Sequence, residues 1–207
     1  MVSRTQKLDS STVGLSYIQR RVAFHTSLAD GRTRVYRRPG ERYNDGCVME
    51  VNRFQRGVMV WGAITANEKL ELVTIHGNMN ARRYIDDVLD NVVVPYIQRV
   101  PGPRIFQHDN ARPHVARITR EYLQAHNVNT LNWPALSPDL SPIEHIWDEL
   151  GRRVRQRPVQ AQTLQKLEDA LHEEWRALPI EAVRTAIHSM RRRCHTVIAN
   201  RGRHTHY

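Results

Sequence analysis

Hydrophobic spacing along the chain switches between a period of two and one of roughly 3.6, and each switch marks an element. RTRVYRR (Arg32–Arg38) alternates and predicts a short strand, with PGERYNDG after it as a loop. GVMVWGAIT (Gly57–Thr65) is apolar and β-branched, the pattern of a buried strand. LELVTIHG (Leu70–Gly77) alternates again and predicts its partner, with Asn67–Lys69 as the tight turn between them. The period then lengthens. Asn80 is placed to cap a helix reaching about Gln98, with Tyr84, Val88, Leu89, Val92 and Tyr96 on its apolar face and Pro95 kinking its last turn. RIFQHD (Arg104–Asp109) reads as a short strand ending on charge. ARPHVARITREYLQAHN reads as a helix stopping near Asn127, and VNTLNW as another short strand. SPIEHIWDELGRRVRQR is a helix. Two more follow on the stripes Leu164, Leu167, Leu171, Trp175 and Val183, Ile187, Met190, Cys194, with Gly202 just past the last.

That order predicts an α/β fold with a mixed sheet: antiparallel strands first, then crossover units that lay strands in parallel, flanked by helices. Residues 1–22 are polar and rich in Ser and Thr, and read as a poorly ordered tail. A chain of 207 residues suits one domain with a small appendage and needs no covalent staples. With only Cys47 and Cys194, a disulfide framework and a Cys-rich zinc site are both excluded, which fits a reducing, intracellular compartment. No apolar run is long enough to span a membrane, and the first 30 residues lack a signal peptide. The net charge of +10 changes the picture most: it points to a polyanionic partner, most simply nucleic acid, against the plainer reading of a solvated basic surface.

The acidic residues that remain are candidates for chemistry. Asp109 ends a short apolar strand, where α/β sheets place ligands, yet position alone favours the plainer reading that Asp109 or Asn110 simply caps the helix that follows. Ser141-Pro142-Ile143-Glu144 is a capping box with proline at the first helical position, which by itself accounts for Glu144. The stripe of that helix is Ile143, Ile146, Trp147, Leu150 and Val154, so Glu144 lies about 100° round, at the edge of the core. Asp148 flanks it, Glu149 falls on the far side, and Asp139 occupies an ordinary turn position. Two carboxylates on different elements could hold hard divalent cations, and a cation pair supports in-line attack on a phosphodiester.

The stretches GVMVWGAI, FQHDNARPHVA, NWPALSPDLSPIEHIWDELGRRV and ANRGRHTHY, with DGRTRVYRRPGERY, resemble the catalytic domain of the Tc/mariner superfamily of DNA transposases, from about Phe24 to Tyr207. The resemblance implies an RNase H-like fold carrying a C-terminal helical extension. It divides the chain into a dissimilar tail (1–22), a core lacking an intact first strand (23–158) and a C-terminal helical pair (159–207). It implies three carboxylates, Asp, Asp and Glu, holding two Mg²⁺ or Mn²⁺ ions. In one branch of the family 34 residues separate the second Asp from the Glu; here residues 110 to 143, thirty-four in number, separate Asp109 from Glu144. Asp109 and Glu144 therefore take the second and third catalytic and metal-binding places. The implied activity is metal-dependent cut-and-paste transposition: cleavage of DNA at the element's ends and strand transfer to a TA target. DNA is the implied partner and the nucleus the implied location, and the resemblance admits a homodimer.

The chain departs from the family at its start. Aligned on Phe24, the first catalytic Asp falls at Arg20 and the Glu after it at Arg21, within QRRVAF. The expectation is a copy with little or no cleavage, the alternative a residual or domesticated nucleic-acid-binding protein without catalysis. The family's paired helix-turn-helix modules have no counterpart before Phe24, so specific recognition of terminal repeats is expected to be missing. Arg152, Arg153 and Arg155 are candidates for tracking phosphates, as is Arg191–Arg193, though a solvated helix face serves equally well. His108 is expected to face away from Asp109 across the strand, and His114 to help shape the site without ligating. Trp61 and Trp147 read as core, and the HTHY ending as frayed.

Overall fold

Alternation on one strand divides the molecule into two cores. In the computed structural model, which describes residues 15–18, 22–25, 57–134, 137 and 140–200, strand β3 (Gly57–Trp61) sends Val58 and Val60 to one side and Trp61 to the other. The first side packs against helices α4 (Pro142–Gln156), α5 (Leu164–Ala177) and α6 (Ile180–His188), through Ile143, Ile146, Trp147, Leu150, Leu167, Leu171, Trp175 and Val183. The second packs against the helical segment 81–99 and helix α3 (Arg117–Ala125), through Tyr84, Val88, Leu89, Val93 and Leu123. Helices thus cover both faces of a sheet, the layered α/β arrangement the sequence predicts.

The strands form two sheets. One has the order β4-β1-β6-β7, the other β2-β3-β5. β1 (Leu15–Ile18) is antiparallel to β4 (Ala63–Ile64) and parallel to β6 (Ile105–Gln107), which is parallel to β7 (Asn129–Thr130). β2 (Val22–His25) and β5 (Val73–Ile75) are both antiparallel to β3. The mixed order, antiparallel first and parallel later, is the expected one. β1 itself is a correction: four residues inside the stretch expected as tail are a strand flanked on both sides. LSYI is too short to stand out in a Ser/Thr-rich context, and its conformation is fixed by the ladders of β4 and β6 rather than by local pattern. The two registers also differ by one. Ile18 pairs with Ala63 and Val22 with Val60. The strand expected over Arg32–Arg38, its following loop, Asp139, Gly202 and the HTHY ending lie outside the described residues.

The hairpin between the apolar strands forms as expected. Thr65 closes it: its amide donates to the Glu68 carbonyl, and its hydroxyl accepts from the Glu68 amide. Asn80 caps the next helix by accepting from the Arg83 amide. That helix holds a surprise in its middle. α1 (Ala81–Arg83) passes into a π-helical stretch, Tyr84–Val93, and only then into α2 (Val94–Arg99). Pro95 lacks the N–H that an α-helical ladder would need, and the Val94 amide bonds five residues back to Leu89. The wider turn moves the apolar face. Tyr84, Leu89 and Val93 are fully buried, whereas Val92, expected there from a 3.6 period, is only partly so.

At the C-terminal end the described residues hold three helices where two stripes suggested two. Ser189 separates α6 from α7 (Met190–Ala199): its hydroxyl donates to the Ala186 carbonyl and accepts from Arg193 Nε, so it interrupts the ladder locally. Arg193 is buried (1% exposed), which corrects its reading as part of a surface basic run. α5 is fastened to the hairpin. Lys69 Nζ donates to the carbonyls of Trp175, Arg176 and Leu178, and Trp175 Nε1 donates to the Leu70 carbonyl at 2.9 Å. The Lys69 ammonium therefore sits where a cation belongs, on the last carbonyls of a helix.

Candidate active site

β6 runs between two parallel neighbours, and Asp109 lies two residues beyond its end, the position that α/β sheets use for ligands. The helix expected from Ala111 begins only at Arg117, because the residues between fold onto themselves. Asp109 Oδ1 accepts the Ala111 amide at 2.9 Å, and the amides of His114 and Val115 both bond to the Ala111 carbonyl. The buried hydroxyl of Thr119 donates to the Pro113 carbonyl at 2.7 Å, and Arg120 donates to the Val115 carbonyl. Asn110 Nδ2 reaches out to the Trp133 carbonyl, tying this turn to the segment that leads into α4. Asp109 thus opens an Asx-type turn and does not cap α3, whose N-cap is Ala116.

Beneath Asp109 lies a buried aromatic and imidazole cluster. His114 Nδ1 stands 2.6 Å from Asp109 Oδ1, and His114 is 1% exposed. Its ring packs on Tyr84, with centroids 4.2 Å apart, and stacks with His108 at 5.4 Å. His108 and Asp109 therefore both reach His114, one by ring stacking and one by hydrogen bond. The alternation that would have sent His108 away lapses because β6 ends at Gln107. Burial lifts the Tyr84 hydroxyl well above its usual range, and the Asp109 charge adds to the shift. Tyr84 Oη and Trp61 Nε1 approach one another short of hydrogen-bond geometry. His108 is pushed down to about 4, first by burial and then by His114, against the opposing pull of Asp109.

The His108 shift has a measurable consequence. In the unfolded chain the ring titrates near 6.5, so between that pH and about 4 the unfolded state takes up the extra proton. Native stability is therefore full above the upper value and falls as pH drops toward the lower one. In metal-free buffer, the stability obtained from urea unfolding is expected to fall by on the order of 3 kcal/mol more for the native chain than for His108→Phe over that window. Equal slopes for the two proteins would refute the assignment.

Glu144 stands in the first turn of α4, half-buried, beside a stripe that is buried as expected: Ile143, Ile146, Trp147, Leu150 and Val154. Ser141 is the N-cap, but its side chain forms no capping bond and its Oγ is buried without a partner, so the Ser141 half of the box predicted from the sequence is not made. Proline at the start and the backbone bond from the Glu144 amide to the Ser141 carbonyl begin the helix instead. α4 packs on β1, whose parallel partner β6 leads to Asp109. Asp148 is exposed; Glu149, expected in solvent, is half-buried and pairs with Arg152 and with Arg153 at 2.9 Å. Of the three arginines expected to track phosphates, two are thus engaged with Glu149, and Arg155 is exposed without an ion pair to a described residue. The donor chemistry suits a hard cation, since both carboxylates offer oxygen ligands and such ions take few protein carboxylates. Among the described residues no three His, Cys, Asp or Glu side chains converge closely enough to hold an ion. His114 and Tyr84 are the residues whose part pattern-reading understated. The one sequence signal for His114 is its place five residues after Asp109 in HDNARPH.

The family model described as DDE superfamily endonuclease matches residues 23–167. The Tcb2 transposase of Caenorhabditis briggsae and the Tc1 transposase of Caenorhabditis elegans are each 34% identical over 186 residues, 89% of this chain and 67% of theirs. The Mos1 transposase of Drosophila mauritiana is 27% identical over 161 residues, covering 74% of this chain and 46% of its own. Among solved structures, the Mos1 catalytic domain with raltegravir and Mg superposes with a TM-score of 0.64 at 24% identity, over 72% of this chain and 78% of that one. The Mos1 strand transfer complex gives 0.71 at 24% identity, over 94% and 56%. These likenesses bear on the fold, which is RNase H-like. By the family match and the nematode relatives, the chain belongs to the DDE superfamily endonuclease family and is a transposase catalytic domain of the Tc/mariner type.

Proposed function

We propose that this chain binds DNA through its phosphates and holds a divalent cation with Asp109 and Glu144, while the strand cleavage and transfer of its family are strongly reduced by Arg20 at the first carboxylate position. The observation that carries the reading is the placing of the two carboxylates. Asp109 leaves the end of a strand paired in parallel on both sides, and after thirty-four intervening residues Glu144 enters on a helix packed against one of those neighbours. Mg²⁺ or Mn²⁺ bound there would supply charge neutralisation at a phosphodiester. The protein's own part is to hold two oxygen ligands on rigid elements and to bring a chain of net charge +10 to the duplex. Mos1 relatives have been solved as paired-end complexes with Mn and with Mg. The same arrangement here would set two copies on two DNA ends, with the nucleus as the place of action.

Two measurements test the reading. Filter binding to duplexes of unrelated sequence is expected to give similar affinities that fall by about 10³-fold or more between roughly 50 and 200 mM salt, as for six or more neutralised phosphates. Plasmid nicking in Mg²⁺ or Mn²⁺ is expected to stay close to that of Asp109→Ala. Robust nicking abolished by Asp109→Ala would refute the loss of activity, and failure to bind DNA at low salt would refute the whole reading.

A further inference from the structure

We propose that His114 is a positioning residue for Asp109, holding the carboxylate by Oδ1 in the orientation that meets a divalent cation. The inference rests on the metal-binding reading above and names a residue that acts through another. Two donors converge on the same oxygen: the Ala111 amide at 2.9 Å and His114 Nδ1 at 2.6 Å. A carboxylate only accepts, so the Nδ1 atom carries the proton, and the bond is short in the way charge-assisted bonds are. One donor would leave the carboxylate free to pivot. Two from different directions fix its rotation and with it the direction of Oδ2.

The ring that supplies the second donor is itself fixed. His114 is 1% exposed and packs on Tyr84 and His108, and Tyr84 is fully buried at the start of the π-helical stretch. Its backbone is pinned as well, by the Ala111 carbonyl on the His114 amide and by Thr119 on Pro113. His114 Nε2 is buried with no hydrogen-bond partner, so no competing bond draws the ring away from Asp109. A burial this complete leaves an imidazole with an unpartnered nitrogen, a cost that a purely apolar residue at 114 would avoid. The bond to Asp109 is what the imidazole contributes in return. Residues that orient metal ligands typically alter metal affinity by roughly 10–100-fold when replaced.

The test uses the full chain, ¹⁵N-labelled, with Mn²⁺ alone as probe and paramagnetic broadening of the Ala111 amide as readout. His114→Phe keeps a ring against Tyr84 and removes the donor. His114→Asn returns an N–H at the same number of bonds from the backbone. Native protein is expected to show a slowly exchanging His114 Nδ1–H resonance that disappears in Asp109→Ala. The Mn²⁺ concentration for half-broadening is expected to rise roughly 10–100-fold in His114→Phe and to return to within about threefold in His114→Asn. Thermal melts establish that each variant is folded. If His114→Phe is not, His114→Leu replaces it, because it fills part of the same buried space and carries no donor. Unchanged broadening in the donor-less variant would overturn the proposal while leaving the cation reading intact. No broadening near Ala111 in the native chain would overturn the cation reading and the proposal with it.

Discussion

Arg20→Asp is expected to raise Mn²⁺-dependent plasmid nicking by roughly a hundredfold, equivalent to about 3 kcal/mol of transition-state stabilisation. Arg20 stands where alignment on Phe24 puts the family's first Asp. β1 is parallel to β6 with Tyr17 opposite Gln107, and Arg20 follows Tyr17 by three residues as Asp109 follows Gln107 by two. By charge alone, a guanidinium in place of a metal-binding carboxylate would oppose a divalent cation, whereas a carboxylate would help to hold it, and the substitution changes the charge by two. Arg20→Ala separates the two effects. It removes repulsion without adding a ligand, and its gain is expected to stay within about tenfold. Initial rates of supercoiled plasmid loss for the three proteins, with Asp109→Ala added to Arg20→Asp, provide the check. If Arg20→Asp does no better than Arg20→Ala, the first-carboxylate assignment is wrong and the cause of low activity lies elsewhere.

Long periodic segments carried the fold, and tertiary partners decided what they did not. The α4 stripe from Ile143 to Val154 was legible because five apolar residues recur at helical spacing and all meet one core. The apolar strand Gly57–Thr65 is legible as a continuous apolar, β-branched run, the pattern of a strand covered on both faces. β1 was not, since four residues carry too little pattern and their conformation is imposed by β4 and β6. The π-helical stretch was not, because the sequence records Pro95 but not how the ladder upstream absorbs the missing amide. At the site, Asp109 and Glu144 were singled out by a resemblance that fixed their spacing, where local reading favoured caps for both. The structure forms neither predicted cap: Asp109 opens a turn, and Ser141 makes no side-chain capping bond. The contact of His114 with Asp109 spans five residues and depends on Tyr84 from another element, so no local pattern could supply it.

Trp175→Ala is expected to lower unfolding free energy by about 3–5 kcal/mol, the range for truncating a buried aromatic. Three interactions meet at this side chain. Its ring is 3% exposed and stacks on Trp147 with centroids 5.3 Å apart. Its Nε1 donates to the Leu70 carbonyl, which truncation would leave without that donor. Gly62, between β3 and β4, leaves the space both rings occupy: a Cβ there would lie 2.7 Å from Trp147 and 3.2 Å from Trp175. Truncation therefore opens a cavity at the seam of hairpin, α4 and α5, where two rings already meet backbone and cannot easily collapse inward. For a domain of this size each kcal/mol moves the melting midpoint by about 2–4 °C, so a fall of roughly 10 °C is expected in a calorimetric scan. Trp175→Phe distinguishes ring from bond. It restores most of the packing without the N–H, and its cost is expected near 1–2 kcal/mol. Should the two variants melt together, the hydrogen bond to Leu70 and not the packing would hold α5 to the hairpin, and Lys69, which donates to the Trp175 carbonyl from the same hairpin, would become the principal remaining tie.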